Sequence, residues 1–234
     1  MATVTIQDLV DRAQTILQDT TDSGVRWPTT ELVGWLNDAY REIVLARPDA
    51  NSDSGTFTCA AGTRQQLDKA VGGFPTALRL LDVVRNVAAG SNKGAIRSIE
   101  RAILDDQRRT WHGETGSLNI EHFMLDPRLP REFLVYPPAL ATTELEVVYS
   151  SVPAAHNVNI ATSGSDTLNI VDSYANAILD YMLYRAYSKD AEYAANAARA
   201  MAHYQAMQNA IGVKTASDSA VNPIDVGDRT IRGA

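Results

Sequence analysis

The sequence predicts an α+β protein: an antiparallel four-helix bundle with an inserted β-rich domain and an extended C-terminal tail. Three observations carry that expectation. Apolar residues recur at three- and four-residue spacing near both ends of the chain, as on helices that bury one face. Between those regions the rhythm changes to short β-prone runs separated by Gly- and Pro-containing turns. After Gly212 the helical pattern stops, and Pro223, Gly227 and Gly233 favour turns or extended backbone. The bundle is therefore assigned to 1–49 and 168–212, the inserted domain to 50–167 with one helix at about 98–111, and the tail to 213–234.

The first helix has Ile6, Leu9, Val10, Ala13, Ile16 and Leu17 on one face, with Thr5 placed to cap and Asp8 in the first turn. Asp22, Ser23 and Gly24 break it. The second starts near Pro28, where Thr29 or Thr30 can cap and Glu31 suits the positive helix end. Its face is Leu32, Trp35, Leu36, Ala39, Ile43 and Val44, and Pro48 stops it. Five strand-like runs follow: 55–60, 77–87, 120–126, 131–137 and 144–150. Such strands around one helix make an antiparallel domain between flanking helices.

Helical spacing returns for two more helices, roughly Asp172 to Ser188 and then up to Ile211, with Asp190 able to cap the second. On the last helix Tyr193, Ala197, Ala200, Tyr204, Met207 and Ile211 form the seam of a close helix pair. The preceding helix is apolar on more than one face, which implies neighbours on several sides, including other subunits. Tyr181, Tyr184, Tyr187, Tyr193 and Tyr204 are the candidate subunit-interface residues, because tyrosine joins large apolar contact to a polar tip. Core packing is the alternative for each of them. The tail interleaves Val221, Ile224, Val226 and Ile231 with Asp225, Asp228, Arg229 and Arg232. That pattern is too apolar for a simple solubilising end and reads as a tether, with a flexible spacer as the alternative.

Composition limits the function. The formal charge is −7, which argues against a dedicated nucleic-acid binder with a basic face. Cys59 is the single cysteine, so the chain forms no internal disulfide and no cysteine-built zinc site, and it reads as a small buried strand residue. The N-terminus lacks the pattern of a signal peptide, and no run approaches a membrane span, so a soluble protein made in a reducing cytoplasm is expected.

Chemistry is sparse. His112, His122, His156 and His203 include no pair at helical ligand spacing, and no phosphate loop, dinucleotide fingerprint or nucleophile elbow occurs. Asp105, Asp106 and His112 could on paper hold Mg²⁺ for a metal-dependent nuclease. Adjacent helical residues point about 100° apart, however, and Arg108 and Arg109 can pair with the two carboxylates. A charged helix face anchored by Trp111 is the simpler reading. No catalytic, cofactor or metal residues are assigned, and the chain is expected not to be an enzyme.

Three stretches in order carry a resemblance: "RWPTTELVGWLNDAYREIV" (26–44), "FLVYPP" (133–138) and "LYRAYSKDAEYAANAARAMAHYQAMQNAIG" (183–212). The chain resembles the head-to-tail adaptor (connector) proteins of tailed bacteriophages, especially the short-tailed kinds, over nearly its whole length. Pro28 departs from the capping Ser or Thr of such relatives. The resemblance implies a structural virion protein at the portal vertex, assembled in the host cytoplasm, with no membrane contact. It implies a ring of twelve beneath the portal protein, docked to tail or nozzle proteins, with double-stranded DNA passing through during packaging and ejection. It also implies a portal-binding tail, here Val221, Pro223, Ile224, Val226, Arg229, Ile231 and Arg232. Twelve copies would carry −84 formally (12 × −7), a balance that repels DNA from the channel wall. The alternative within the same class is a stopper or tail-completion ring lower in the neck.

Overall fold

The computed structural model describes residues 3–19, 26–158, 166–190 and 194–221. The chain divides into two compact units, one built from Met1–Arg47 with Pro153–Ala234 and the other from Pro48–Val152. Among the described residues there are five α-helices and seven strands.

In the helical unit α1 spans Ile6–Leu17 and α2 Thr29–Ala46. Thr5 closes a capping box with Asp8: each side chain takes the other's backbone amide, both at 3.1 Å. Thr5 holds the Asp8 carboxyl below the ordinary carboxylate value. α2 begins at Thr29 with Pro28 in the cap position and no side-chain cap, so neither Thr29 nor Thr30 serves as one. α4 covers Ala175–Lys189 and α5 Ala194–Val221. Ile178, Met182 and Ala186 of α4 are wholly buried, as are Leu9 and Ala13 of α1 and Leu36, Tyr40 and Ile43 of α2.

The four-helix bundle expected from the spacing is not what forms. A bundle needs each helix to contribute a face to one shared core. Here α1, α2 and α4 pack against one another, whereas α5 packs chiefly along α4. Among the α5 side chains that the structure describes, only the stripe Asn196, Ala200, Met207 and Ile211 is buried. Its far end meets α2 through an ion pair from Arg47 Nη2 to Asp218 Oδ2, 2.5 Å. The closing position also differs: α5 does not stop at Gly212 but continues to Val221. Gly212 sits in open space, where a missing side chain costs the helix no packing. Beyond it Lys214 reaches Asp218 at 3.1 Å, and the Thr215 hydroxyl donates to Ile211 O. The stretch 213–221 is therefore helix, not extended tail.

A polar knot fixes the segment that rejoins this unit. Asn37 on α2 donates to His156 O at 2.9 Å and accepts from His156 N at 2.8 Å. The Tyr40 hydroxyl, fully buried, accepts from Asn169 N at 3.0 Å and lies 2.9 Å from His156 Nε2. A buried phenol needs an acceptor for its own proton, and His156 Nε2 is the one within reach. His156 is therefore neutral, with its proton on Nδ1. Burial pushes Tyr40 up to about 12 and pulls His156 below its ordinary value, against a smaller opposing pull from Asp166.

The β unit holds β1 (Ser52–Thr58), β2 (Gly62–Gln66), β3 (Ala77–Asn86), β4 (Arg97–Ser98), β5 (His122–Leu125), β6 (Glu132–Ala139) and β7 (Glu144–Ser151). They form a three-stranded sheet ordered β1-β7-β3 and a four-stranded sheet ordered β2-β6-β5-β4. All pairings are antiparallel except β4 with β5. Phe57, Val83, Leu145 and Val147 from one sheet meet Phe123, Phe133 and Val135 from the other in a single core. Cys59, just past β1, is buried there, and burial pushes its thiol up to about 12. α3 (Arg101–Gln107) and a 3-10 turn (Trp111–Gly113) replace the longer helix expected at 98–111. They cover part of the outer face of the four-stranded sheet, where Trp111 and Leu104 pack on Met124 and Tyr136.

Candidate functional site

The candidate hydrolytic cluster is committed to structure. Asp105 accepts from Trp111 Nε1 at 2.9 Å and from Arg101 Nε at 3.0 Å. The Trp111 bond, more than the nearby guanidinium, holds its carboxyl below the ordinary value. His112 stacks on Trp111 with ring centroids 3.7 Å apart, and its Nδ1 lies 2.8 Å from Thr63 Oγ1. Asp106 is exposed. Asp105 thus orients the Trp111 anchor, and among the described residues no three His, Cys, Asp or Glu side chains converge on a metal-sized site.

The tyrosines come together between α4 and α5. Tyr181 meets Tyr184 edge-on with centroids 5.8 Å apart, and Tyr184 meets Tyr204 at 5.0 Å. Tyr187 stacks on His203 at 5.7 Å and lies under the Arg199 guanidinium. Asp180 Oδ1 is 2.9 Å from His203 Nδ1, which orients the ring. Tyr181 is buried, and burial raises its hydroxyl pKa, whereas Tyr184, Tyr187 and Tyr204 are half-buried. Their ring contacts are within the chain. Tyr193 lies outside the described residues, as do Pro223, Ile224, Val226, Arg229, Ile231 and Arg232 of the tail. Val221 is the last residue of α5.

The α4–α5 seam differs by one position from the heptad reading. Ala197 is exposed, and Asn196 takes its place, its Nδ2 donating to the Asp190 carboxylate at 2.8 Å. Asp190 therefore meets α5 through Asn196. An asparagine carries no apolar signal, so the spacing of hydrophobic residues missed it. His203 was equally silent in the sequence, because its role depends on Asp180 and Tyr187 of the neighbouring helix.

Much of the remaining described surface of α5 is open. Ala198, Ala202, Ala206 and Ala210 are exposed, and Met201 and Val213 are 54% and 71% exposed. Arg199, Gln205, Gln208 and Asn209 are exposed among them, so this surface mixes small, apolar and polar side chains, as contact surfaces do. No helix among the described residues is long and apolar enough to cross a membrane.

Comparison with known proteins agrees with this picture. No curated protein matches the chain. The family described as SU10 adaptor protein matches residues 4–227, which takes in both units and the start of the tail. The chain therefore belongs to the SU10 adaptor protein family, consistent with a phage head-to-tail adaptor.

Proposed function

We propose that this protein is a structural component of the virion neck, a non-enzymatic adaptor that forms a ring, twelve copies in number, beneath the portal. The observation that carries the reading is the one-sided packing of α5 in a chain matched by an adaptor family along nearly its full length. Small residues on an exposed helix let a neighbouring backbone approach closely, and Met201 and Val213 supply the apolar contact. Neighbouring copies pack on this face and on the exposed edges of Tyr184, Tyr187 and Tyr204. Residues from Val221 onward tether each copy to the portal, with Ile224, Val226 and Ile231 filling small pockets and Arg229 and Arg232 meeting acidic surface. Many weak tethers on one ring give avidity. The net charge of −7 per copy keeps DNA from adhering as it passes.

Deleting 222–234 tests the tether while leaving α5 intact. The truncated chain is expected to keep its far-ultraviolet circular dichroism and to lose binding to purified portal rings, read as mass added per ring. Stoichiometric decoration of portal by the truncated chain refutes the tether. Decoration of a tail component instead of the portal assigns the protein to a stopper position.

A further inference from the structure

We infer that the outer face of the four-stranded sheet carries a docking cleft for a partner segment that combines a large apolar side chain with carboxylates. The sheet register places Arg64 of β2, Leu134 of β6 and Met124 of β5 side by side on one face. α3 and the Trp111 turn cover that face only toward Tyr136. Where the cover ends, a cavity of about 620 Å³ opens over Met124 and Leu134. The loop between β5 and β6 forms its opposite wall, with Leu125 42% and Leu129 43% exposed. The apolar floor thus continues an interface the chain has already built for Trp111. A side chain of leucine or phenylalanine size resting there would extend the same small core.

The rim sets the charge of the occupant. Arg64, Arg101 and Arg128 all line the cleft. Arg64 and Arg128 are engaged by Glu132 and Asp126, whereas Arg101 meets Asp105 through Nε, 3.0 Å, and feels Asp126 only at longer range, so its two Nη nitrogens make no hydrogen bond or ion pair among the described residues. A guanidinium with its paired Nη donors unused beside an apolar floor is suited to a bidentate carboxylate. Thr63 and Arg64 belong to β2, the edge strand of this sheet. The Leu67 amide donates to Arg131 O, so antiparallel alternation turns the backbone groups of Arg64 and Gln66 outward. An extended segment can therefore add to β2 while placing a side chain over the sheet. The occupant is a stretch of another protein; that this protein belongs to the neck rests on the adaptor reading.

The test uses the full chain and a short fluorescein-labelled peptide of alternating glutamate and leucine, against a counterpart with lysine in place of glutamate. The acidic peptide is expected to bind and its lysine counterpart not. Arg101→Glu with Arg64→Glu should weaken binding about tenfold or more. Leu129→Asp, which breaks no ion pair, should weaken it as well, and Arg109→Glu, an equal charge change away from the cleft, should not. Equal binding of both peptides, no binding, or an equal effect of Arg109→Glu overturns the inference. Self-association abolished by the same cleft variants gives the surface to a second copy and also overturns it. Peptide binding by a chain that never attaches to portal or tail proteins would leave the cleft standing and remove the adaptor reading.

Discussion

Replacing Tyr40 by phenylalanine removes one hydroxyl from the helical unit and leaves the ring that fills the core. The hydroxyl holds two partners, Asn169 N at 3.0 Å and His156 Nε2 at 2.9 Å. A hydrogen bond contributes about 0.5–1.5 kcal/mol net, more where a buried partner is left unpaired. Asn169 is exposed and His156 half-buried, so water can reach part of what is lost. The expected cost is about 1–2 kcal/mol at neutral pH. With a urea slope of about 2 kcal/mol per molar, the unfolding midpoint falls by about 0.5–1 M. The sign of the pH dependence follows from His156, whose folded value is depressed chiefly by burial. The unfolded chain then binds more protons than the folded one once the pH falls below about 6.5. This contribution to stability is complete above that value and is lost as the pH falls toward the folded value. A protonated His156 cannot accept from Tyr40, so the gap between native and Tyr40→Phe proteins should narrow on acidification. Urea titrations followed by circular dichroism at about pH 7.5 and about pH 5 measure both effects. A midpoint unchanged at neutral pH, or a gap that widens in acid, refutes the assigned proton positions.

Other outcomes follow from single contacts. Trp111→Ala should destabilise the β unit by about 3–5 kcal/mol, because a fully buried ring is lost; a loss under about 1 kcal/mol in thermal unfolding contradicts its role as anchor. Thr5→Ala removes the capping box and should cost about 1 kcal/mol, with faster amide exchange confined to the first turn of α1. Asp218→Asn breaks contacts to Lys214 and Arg47, the two groups that hold its carboxyl below the ordinary value. Amide exchange should quicken across 213–221 and nowhere else; uniform protection would show that the end of α5 is held by something other than those charges.

Much of the fold was legible because burial writes itself into spacing. α1 with its Thr5 cap and the β-prone runs that became β3, β6 and β7 were readable, although β3 buries every third residue rather than every second because three register shifts interrupt its pairing with β7. β2 was not legible. Its inward Gln65 is fully buried yet polar, satisfied by the backbone of Ala60 and Gly62, so no alternation marks the strand. β4 is two residues, too short for any pattern. The bundle expectation failed because periodicity reports that a helix has an apolar face, not how many neighbours share it. The end of α5 was missed because Gly212 reads as a stop, while its polar continuation is held by side-chain contacts at four-residue spacing. Of the candidate site, the tyrosine pairings needed two helices to be seen together. The adaptor assignment came from three separated stretches that no single element would have identified.

The strands that begin and end the β unit are hydrogen-bonded neighbours: Ser52 of β1 stands opposite Ser150 of β7, and the Asn51 side chain donates to Ser151 O at 2.9 Å. The unit therefore leaves and rejoins the polypeptide at one spot, like a bead strung by a single knot. Grafting it elsewhere, or exchanging it for another module with equally close ends, asks the flanking chain to bridge almost no distance and adds little closure entropy. The helices of the other unit need no redesign for such an exchange.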